Sequence, residues 1–422
     1  MKIFATSDWH IGNLFHGNDR LPEHRHFLAW LLERIKEKQP DALLIAGDVF
    51  DNVNPSAAAQ SAYYEFIADA TRLCPQMQII ITAGNHDSAT RLEAPRVLLA
   101  RHKVEVRGYV HRMWQNTDDS GNWEVDYDDL MIPVVGKDGD KAVVLAVPYL
   151  RNDVIQSTSY SQGVNDFLRE LTAKARAKFP ETKLVMMVHM YAKGADIASK
   201  DASERIIIGG QEEVNMEGWQ DHPDYMTSGH IHKRQHIWNT DWARYTGSIL
   251  PMSFAEVDYK HGVDLINLDA KKKKQSVEFI EYTPQHKLCI LPADDKVLTP
   301  KELKPLIESL PARSGDKPDE DFVYLQLKVK LDKVSNDEIK ELEALVEKRN
   351  AVLCKIQRII PDLDLTTAAG DKPIRSVDDI LDRDPLDTLK ETFLLKHGNE
   401  MSEHQEKMLK ELLASIKNNE EK

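Results

Sequence analysis

The chain has 422 residues, long for a single domain, so two or three are expected. Its 55 Lys and Arg against 69 Asp and Glu give a formal net charge of −14, which excludes holding nucleic acid by bulk positive charge but leaves room for a local site. With 41% hydrophobic and 29% charged residues it fits a globular chain, not a disordered one. No run approaches the roughly 18 apolar residues that cross a bilayer, and the opening residues turn polar too soon for a signal peptide. Cys74, Cys289 and Cys354 are far apart and form no CxxC pair. A cytoplasmic protein with reduced thiols and no membrane association is expected.

In chain order, Ile3–Thr6 reads as a strand and Pro22–Lys38 as a helix, with Phe27, Leu28, Leu31, Leu32 and Ile35 at helical spacing. Ala42–Ala46 is the next strand, and a helix starts near Asn54-Pro55-Ser56, where proline suits the first turn. Ile79–Ala83, Val143–Val147, Leu184–Val188, Tyr225–Thr227 and Val263–Leu268 read as further strands, with a helix over Ala89–Arg101. The run Lys271–Lys274 is a solvated turn. After it the texture changes. Helix Pro300–Leu310, strand Phe322–Leu331, helix Asn336–Arg349 and strand Val352–Ile360 predict a small α+β unit containing a Pro311–Asp321 loop. Beyond Gly370–Pro373 lie two amphipathic helices, one carrying Leu386, Leu389 and Phe393, the other Met408, Leu409, Leu412 and Ile416.

Five clusters of metal-type ligands each follow a predicted strand: Asp8-Trp9-His10, Gly47-Asp48, Gly84-Asn85-His86-Asp87, His189 and Gly229-His230-Ile231-His232. Ligands of open α/β sheets bind beyond the carboxyl ends of the strands, so the five should share one crevice. Glycine before Asp48, Asn85 and His230 allows a sharp turn and close approach. In extended chain, residues two apart share a face, which suits Asp8 with His10 and His230 with His232. Taken singly each cluster has an ordinary structural role: a turn, a cap or a core histidine. Together they do not.

Without cysteine a structural zinc site is disfavoured, whereas imidazole, carboxylate and amide donors suit manganese, iron or zinc. Asp8, His10, Asp48, Asn85, His189, His230 and His232 are too many for one tetrahedral ion and fit two that share a carboxylate. Such a pair, about 3.5–4 Å apart, activates water and neutralises a reacting phosphoryl group. His86, held by Asp87, is set apart as a proton donor or transition-state stabiliser. Asp87 can equally cap the following helix. Trp9 is read as packing. His16, His24, Arg25 and His26 are taken as surface residues that can reach a phosphate.

These motifs resemble the calcineurin-like metallophosphoesterase superfamily, whose pattern is D-x-H, G-D, G-N-H-D/E, H, G-H-x-H. Ser7–Gly12, Ala46–Asp51, Ala83–Ser88, Gly229–His232 and Tyr245–Glu256 closely resemble its DNA-nuclease branch, strongly over about residues 1–260 and more loosely beyond. The resemblance implies a layered α/β/β/α core with a small α+β capping domain and C-terminal helices. It implies a nuclease domain over 1–270, a capping domain over 283–365, and helices over 372–418 that dock on an ATPase with a coiled coil. It places Asp8, His10, Asp48 and His232 on one metal and Asp48, Asn85, His189 and His230 on the other, most often manganese, with His86 catalytic.

Some relatives have a second histidine three residues after the bridging aspartate. This chain has Asp51 there, so a second phosphate-contacting histidine is not expected. The resemblance further implies a homodimer within a heterotetramer, with candidate dimer helices at about 55–72 and 89–101. DNA is the implied substrate, and metal-dependent exo- and endonucleolytic hydrolysis the implied reaction. Two rivals use the same residues: a phosphodiesterase or phosphatase acting on a small nucleotide, and a scaffold with a vestigial metal site.

Overall fold

Along the central strands, successive residues serve two different cores. Phe4, Leu43, Ile45, Ile79 and Ile81 pack with the helices on one side, while Ile3, Ala5, Ala42, Leu44, Ala46 and Ile80 pack against a second sheet. There the alternation repeats: Ala142, Val144, Val185 and Met187 face the first sheet, and Val143, Leu145, Leu184 and Met186 face a helix. Strands buried on both faces read as unbroken apolar runs, which makes them visible in the sequence.

The computed structural model describes residues 1–359 other than 116–121, 156, 158, 197–212, 270, 273, 295 and 331–335, together with 390, 401, 405 and 406. The first sheet runs in the order Ser276–Tyr282, His261–Asn267, Lys2–Thr6, Ala42–Ala46, Gln78–Thr82, Val104–Arg107, the last four parallel. The second runs Gln235–His236, Ala243–Tyr245, Tyr225–Gly229, Lys183–His189, Lys141–Ala146, Met131–Val135. Helices Leu21–Lys38 and Ala57–Leu73 cover the first sheet and Tyr160–Lys178 the second, giving four layers, α/β/β/α. Edge strands such as Ser276–Tyr282, with its mixed burial, lack the apolar run and carry no comparable signal.

Several expectations need correction. Ser56, not Pro55, begins the second helix: its Oγ accepts from the Ala59 N–H at 3.2 Å, and the proline precedes the cap. The expected helix over Ala89–Arg101 is broken into Ala89–Glu93, Arg96–Leu99 and a final 3₁₀ turn. The break falls at Pro95, which has no N–H to donate and itself leaves helical backbone, with φ of −82° and ψ of 5°. His24 is fully buried rather than on the surface, because it lies on the inward face of its helix with Phe27 and Leu28. Lys271, Lys272 and Lys274 are exposed as expected, with Lys272 N–H donating to the Asp269 carbonyl.

Strands Leu288–Leu291, Val323–Lys330 and Ala351–Ile359 form a parallel sheet linked by helices Pro300–Glu308 and Asn336–Val346. Leu303, Ile307, Leu325, Leu327 and Leu342 make its own core. Its Tyr324 packs on Phe15 and Phe254 of the larger layers, and residues 1–359 are one compact unit. In the second unit, Ile360–Lys422, Lys390 pairs with Glu406 at 2.6 Å. The expected helices carrying Leu386, Leu389, Phe393, Met408, Leu409, Leu412 and Ile416 lie outside the described residues. Among the described residues no helix is long and apolar enough to cross a membrane.

Buried histidines make this fold acid-sensitive, and His261 is one whose share can be tested away from the metal centre. His261 lies within the first sheet, its Nδ1–H 2.9 Å from the Ser248 carbonyl, and burial pushes it down to about 4 from 6.5. Unfolded chain therefore binds the extra proton between those values, so stability is complete above about pH 6.5 and falls with acidification. At about 1.4 kcal/mol per unit, up to about 3 kcal/mol is lost by pH 4. Urea unfolding from pH 7 to 4 measures it, and His261→Asn should flatten the curve. An unchanged slope in that variant would remove His261 from the account.

Candidate metal centre

Each of the five ligand clusters sits at the carboxyl end of a parallel strand. Asp8, Asp48 and Asn85 follow Lys2–Thr6, Ala42–Ala46 and Gln78–Thr82 in the first sheet; His189 and His230 follow from the second. The crevice is thus shared by two sheets packed face to face, not cut into one. Turning three of these strand ends back into it requires unusual backbone. Asp8, His10, Asp48 and His230 have φ of 50°, 45°, 48° and 95°, a region that costs side chains of this kind of order 1–3 kcal/mol each. The Asp8 N–H donates to the Gly47 carbonyl at 3.1 Å and the His10 N–H to the Asp48 carbonyl at 2.9 Å, tying the first two loops together.

Two glycines make the approach possible for different reasons. Gly47 has φ of 84°, and a Cβ there would stand 2.2 Å from His189 Nδ1. At Gly84 the backbone is ordinary, but a Cβ would lie 2.0 Å from Asp48 Oδ1, so here glycine serves closeness alone.

The side chains converge. Ligand atoms of Asp8, His10 and His232, of Asp8, Asp48 and His189, and of His10, Asp48 and His86 lie within 4.8 Å of one another in each group. Asn85 Oδ1 faces His189 Nε2 at 2.9 Å and His230 Nδ1 at 3.0 Å. All seven predicted ligands therefore meet in one place, and His86 meets them. Asp8 Oδ1 accepts from the His230 N–H at 2.9 Å, and its other oxygen accepts from the Ser7 hydroxyl.

The charges are arranged around Asp48. Although burial opposes ionisation, neighbouring His189 and His10 hold its carboxyl well below the usual range. Burial likewise opposes charge on His189, but Asp48 at 3.2 Å outweighs it and lifts the imidazole to about 9. Burial and then His189 push His230 down to about 3. Asp48 is thus the anionic centre around which the histidines gather. Both ring nitrogens of His10 are enclosed without a hydrogen-bond partner, as a ligand awaiting an ion would be. Nitrogen and oxygen donors with no sulfur fit borderline or hard divalent ions.

One assigned support differs from expectation. Asp87 neither holds His86 nor caps a helix. Its oxygens accept the N–H groups of Val49, Phe50 and Gly84 at 3.1, 2.9 and 2.9 Å, which stitches the Asp48 and Asn85 loops together. Burial, reinforced by Asp48, raises its carboxyl to about 6. His86 is instead held by the Asp51 backbone, Nδ1 lying 2.8 Å from that carbonyl, while the Asp51 side chain accepts from Asn13 at 2.9 Å and lies 3.5 Å from His10 Nδ1. A backbone partner leaves no trace in residue type, so the sequence could not reveal it. Trp9 is fully buried between Phe27 and Phe66, at 6.4 and 5.3 Å. Of the early-loop residues, His16 is exposed and Arg25 pairs with Glu65 at 2.6 Å.

A four-layer α/β/β/α core whose strand ends carry Asp, Asn and His donors to one crevice defines a metal-dependent phosphoesterase. The family model described as calcineurin-like phosphoesterase matches residues 1–234. Among curated proteins, the chain is 33% identical over 359 residues to SbcD of the nuclease SbcCD from Rhodobacter capsulatus, covering 82% of this chain and 84% of the relative. It is 28% identical to the protein of that name from Escherichia coli K12, covering 82% of each. The counterpart from Bacillus subtilis is 29% identical over 65% of this chain and 68% of its own length. The chain belongs to the calcineurin-like phosphoesterase family, among its SbcD members.

Proposed function

We propose that this chain is the nuclease subunit of an SbcCD-type complex, a phosphodiester hydrolase acting on DNA at double-strand ends and hairpins in repair, recombination and replication. The observation that carries the reading is the meeting of seven nitrogen and oxygen donors from five strand ends in one crevice. Asp8, His10, Asp48 and His232 would hold one divalent ion and Asp48, Asn85, His189 and His230 a second; the donor set suits manganese, iron or zinc, and the family resemblance favours Mn2+. Such ions, when bound, activate water and neutralise charge on the phosphoryl group.

The chain's own residues do the rest. Because a backbone carbonyl can only accept, His86 carries its proton on Nδ1 toward Asp51, and its Nε2 is left for the phosphate. In the imidazolium form Nε2–H donates to a non-bridging oxygen or protonates the leaving sugar oxygen. Ser7 and the His230 N–H orient Asp8, and Asp87 holds the loops that present Asp48 and Asn85.

The unit over residues 283–365 is read as a capping domain beside the site, and residues 372–418 as the docking element for an SbcC-type ATPase with a coiled coil. Two copies would pair through Ala57–Leu73 and the broken 89–102 segment, where Val97 and Leu98 stand 75% and 69% exposed. With a net charge of −14, this protein alone binds DNA weakly and with strong salt dependence.

The test compares labelled hairpin and linear duplex DNA with a small chromogenic phosphodiester, with Mn2+, and with and without the ATPase and ATP. DNA cleavage that needs Mn2+ and disappears in Asp8→Ala is expected. Turnover of the small ester alone would replace this reading with a small-nucleotide hydrolase, and an inactive, metal-free protein would leave the scaffold.

A further inference from the structure

Of the histidines in the crevice, His232 has a carboxylate at hydrogen-bonding distance behind its ring. Its Nδ1 lies 2.9 Å from Glu256 Oε1, with both residues buried, at 5% and 1% exposure. The other Glu256 oxygen accepts the Met252 N–H at 2.8 Å, so the carboxylate is fixed at both ends. Ionised, it can only accept, which makes Nδ1 the protonated nitrogen and leaves the Nε2 lone pair for an ion. His189 reaches the same tautomer through the Ala46 carbonyl at 3.0 Å, a neutral partner. A carboxylate behind a ligating imidazole also raises its basicity.

The turn carrying this carboxylate has a second attachment. Phe254–Glu256 is a single 3₁₀ turn begun by Ser253, whose Oγ accepts from the Ala255 N–H at 3.2 Å. Phe254 lies 5.3 Å from the Phe15 ring, and Phe15 in turn lies 5.0 Å from Tyr324 of the small sheet, the three forming one buried cluster. One residue, Ala255, separates the ring that joins this aromatic cluster from the carboxylate that orients a ligand.

We propose that Glu256 is a positioning residue for the metal centre, fixing the tautomer and direction of His232, and that the Phe254–Glu256 turn makes this depend on docking of the small unit. The inference rests on the metal centre proposed above. Full-length protein stripped of metal is titrated with Mn2+ by calorimetry, comparing wild type, Glu256→Ala, Glu256→Gln and Phe254→Ala, with circular dichroism as the check on folding. Wild type should bind two ions. Glu256→Ala should weaken one of them about 10- to 100-fold. Glu256→Gln keeps one acceptor oxygen where Glu256 uses two, so it should recover part of that loss with the oxygen turned to Nδ1–H and the Met252 N–H contact given up, while Phe254→Ala should weaken the same ion by a smaller factor.

If wild type binds no Mn2+, the metal centre itself is wrong. If wild type binds two ions and folded Glu256→Ala binds both as tightly, the positioning role is wrong. Should Glu256→Ala not fold, Glu256→Gln decides through the His232 Nδ1 proton in nitrogen-detected histidine spectra. Its retention supports the role, and a switch to the Nε2 tautomer with unchanged Mn2+ affinity overturns it.

Discussion

Replacing His86 by alanine is expected to lower Mn2+-dependent DNA cleavage by a factor on the order of 10² to 10⁴, the usual worth of one positioned proton donor. Metal binding should survive. Three local contacts fix the imidazole: the His86 N–H donates to Asp48 Oδ1 at 2.9 Å, Nδ1 faces the Asp51 carbonyl at 2.8 Å, and the ring stands edge-on to His10 at 4.8 Å. The first belongs to the backbone and persists without the side chain, so the Asp48 loop should keep its shape. His86 also falls within ligand distance of His10 and Asp48, which opens a second role to it. Metal stoichiometry separates them: loss of cleavage with two ions retained marks a proton donor, and loss of an ion marks a ligand. Cleavage at the wild-type rate would eliminate both.

The site is legible in the sequence because its chemistry is carried by residue types that ordinary folding rarely places together at strand ends. Asp8 and Asp48 can be recognised without coordinates, since each comes just after a short apolar run, Ile3–Ala5 or Ala42–Ala46, of the kind a doubly covered parallel strand produces, and His230 by its Gly-His-x-His spacing. What stays hidden is support given by backbone or by distant side chains. The Asp51 carbonyl behind His86 has no residue signature. Glu256 follows His232 by 24 residues and sits in a Ser-Phe-Ala-Glu turn that reads as a connection, so nothing local announces its bond to His232. Asp87 looks like a helix cap because Asp before a helical stretch commonly is one. Three convergent N–H groups, two from the Asp48 loop and one from its own, claim it instead. In the fold, the misread pieces are those in which a single residue overrides periodicity, Pro95 breaking a helix, and edge strands whose mixed burial imitates loops.

Substituting Glu23 by alanine should be the most destabilising change outside the metal centre. Arg20 is completely enclosed, its Nε 2.7 Å from Glu23 Oε2 and its Nη2 3.1 Å from Oε1, while Nη1 donates to the Pro251 carbonyl. The guanidinium also lies 5.2 Å from the Phe15 ring and 5.8 Å from that of Tyr324, and the Tyr324 hydroxyl donates to Glu23 at 3.1 Å. Removing one partner leaves a charge stranded in the interior, at a cost of about 3–5 kcal/mol. Replacing both by apolar residues of similar volume, as in Arg20→Met with Glu23→Leu, removes the stranded charge and should recover most of the loss. Tyr324→Phe deletes one hydrogen bond to a charged group and should cost about 1.5–3 kcal/mol. Because Tyr324 is the small unit's contribution to this contact, it should show that loss first as faster proteolysis within residues 283–359, before the larger layers open. Urea unfolding with limited proteolysis reads both quantities. A Glu23→Ala protein within about 1 kcal/mol of wild type, far below the cost of a stranded charge, would mean that the pair is solvated, and that the small unit is held to the nuclease layers by its aromatic contacts alone.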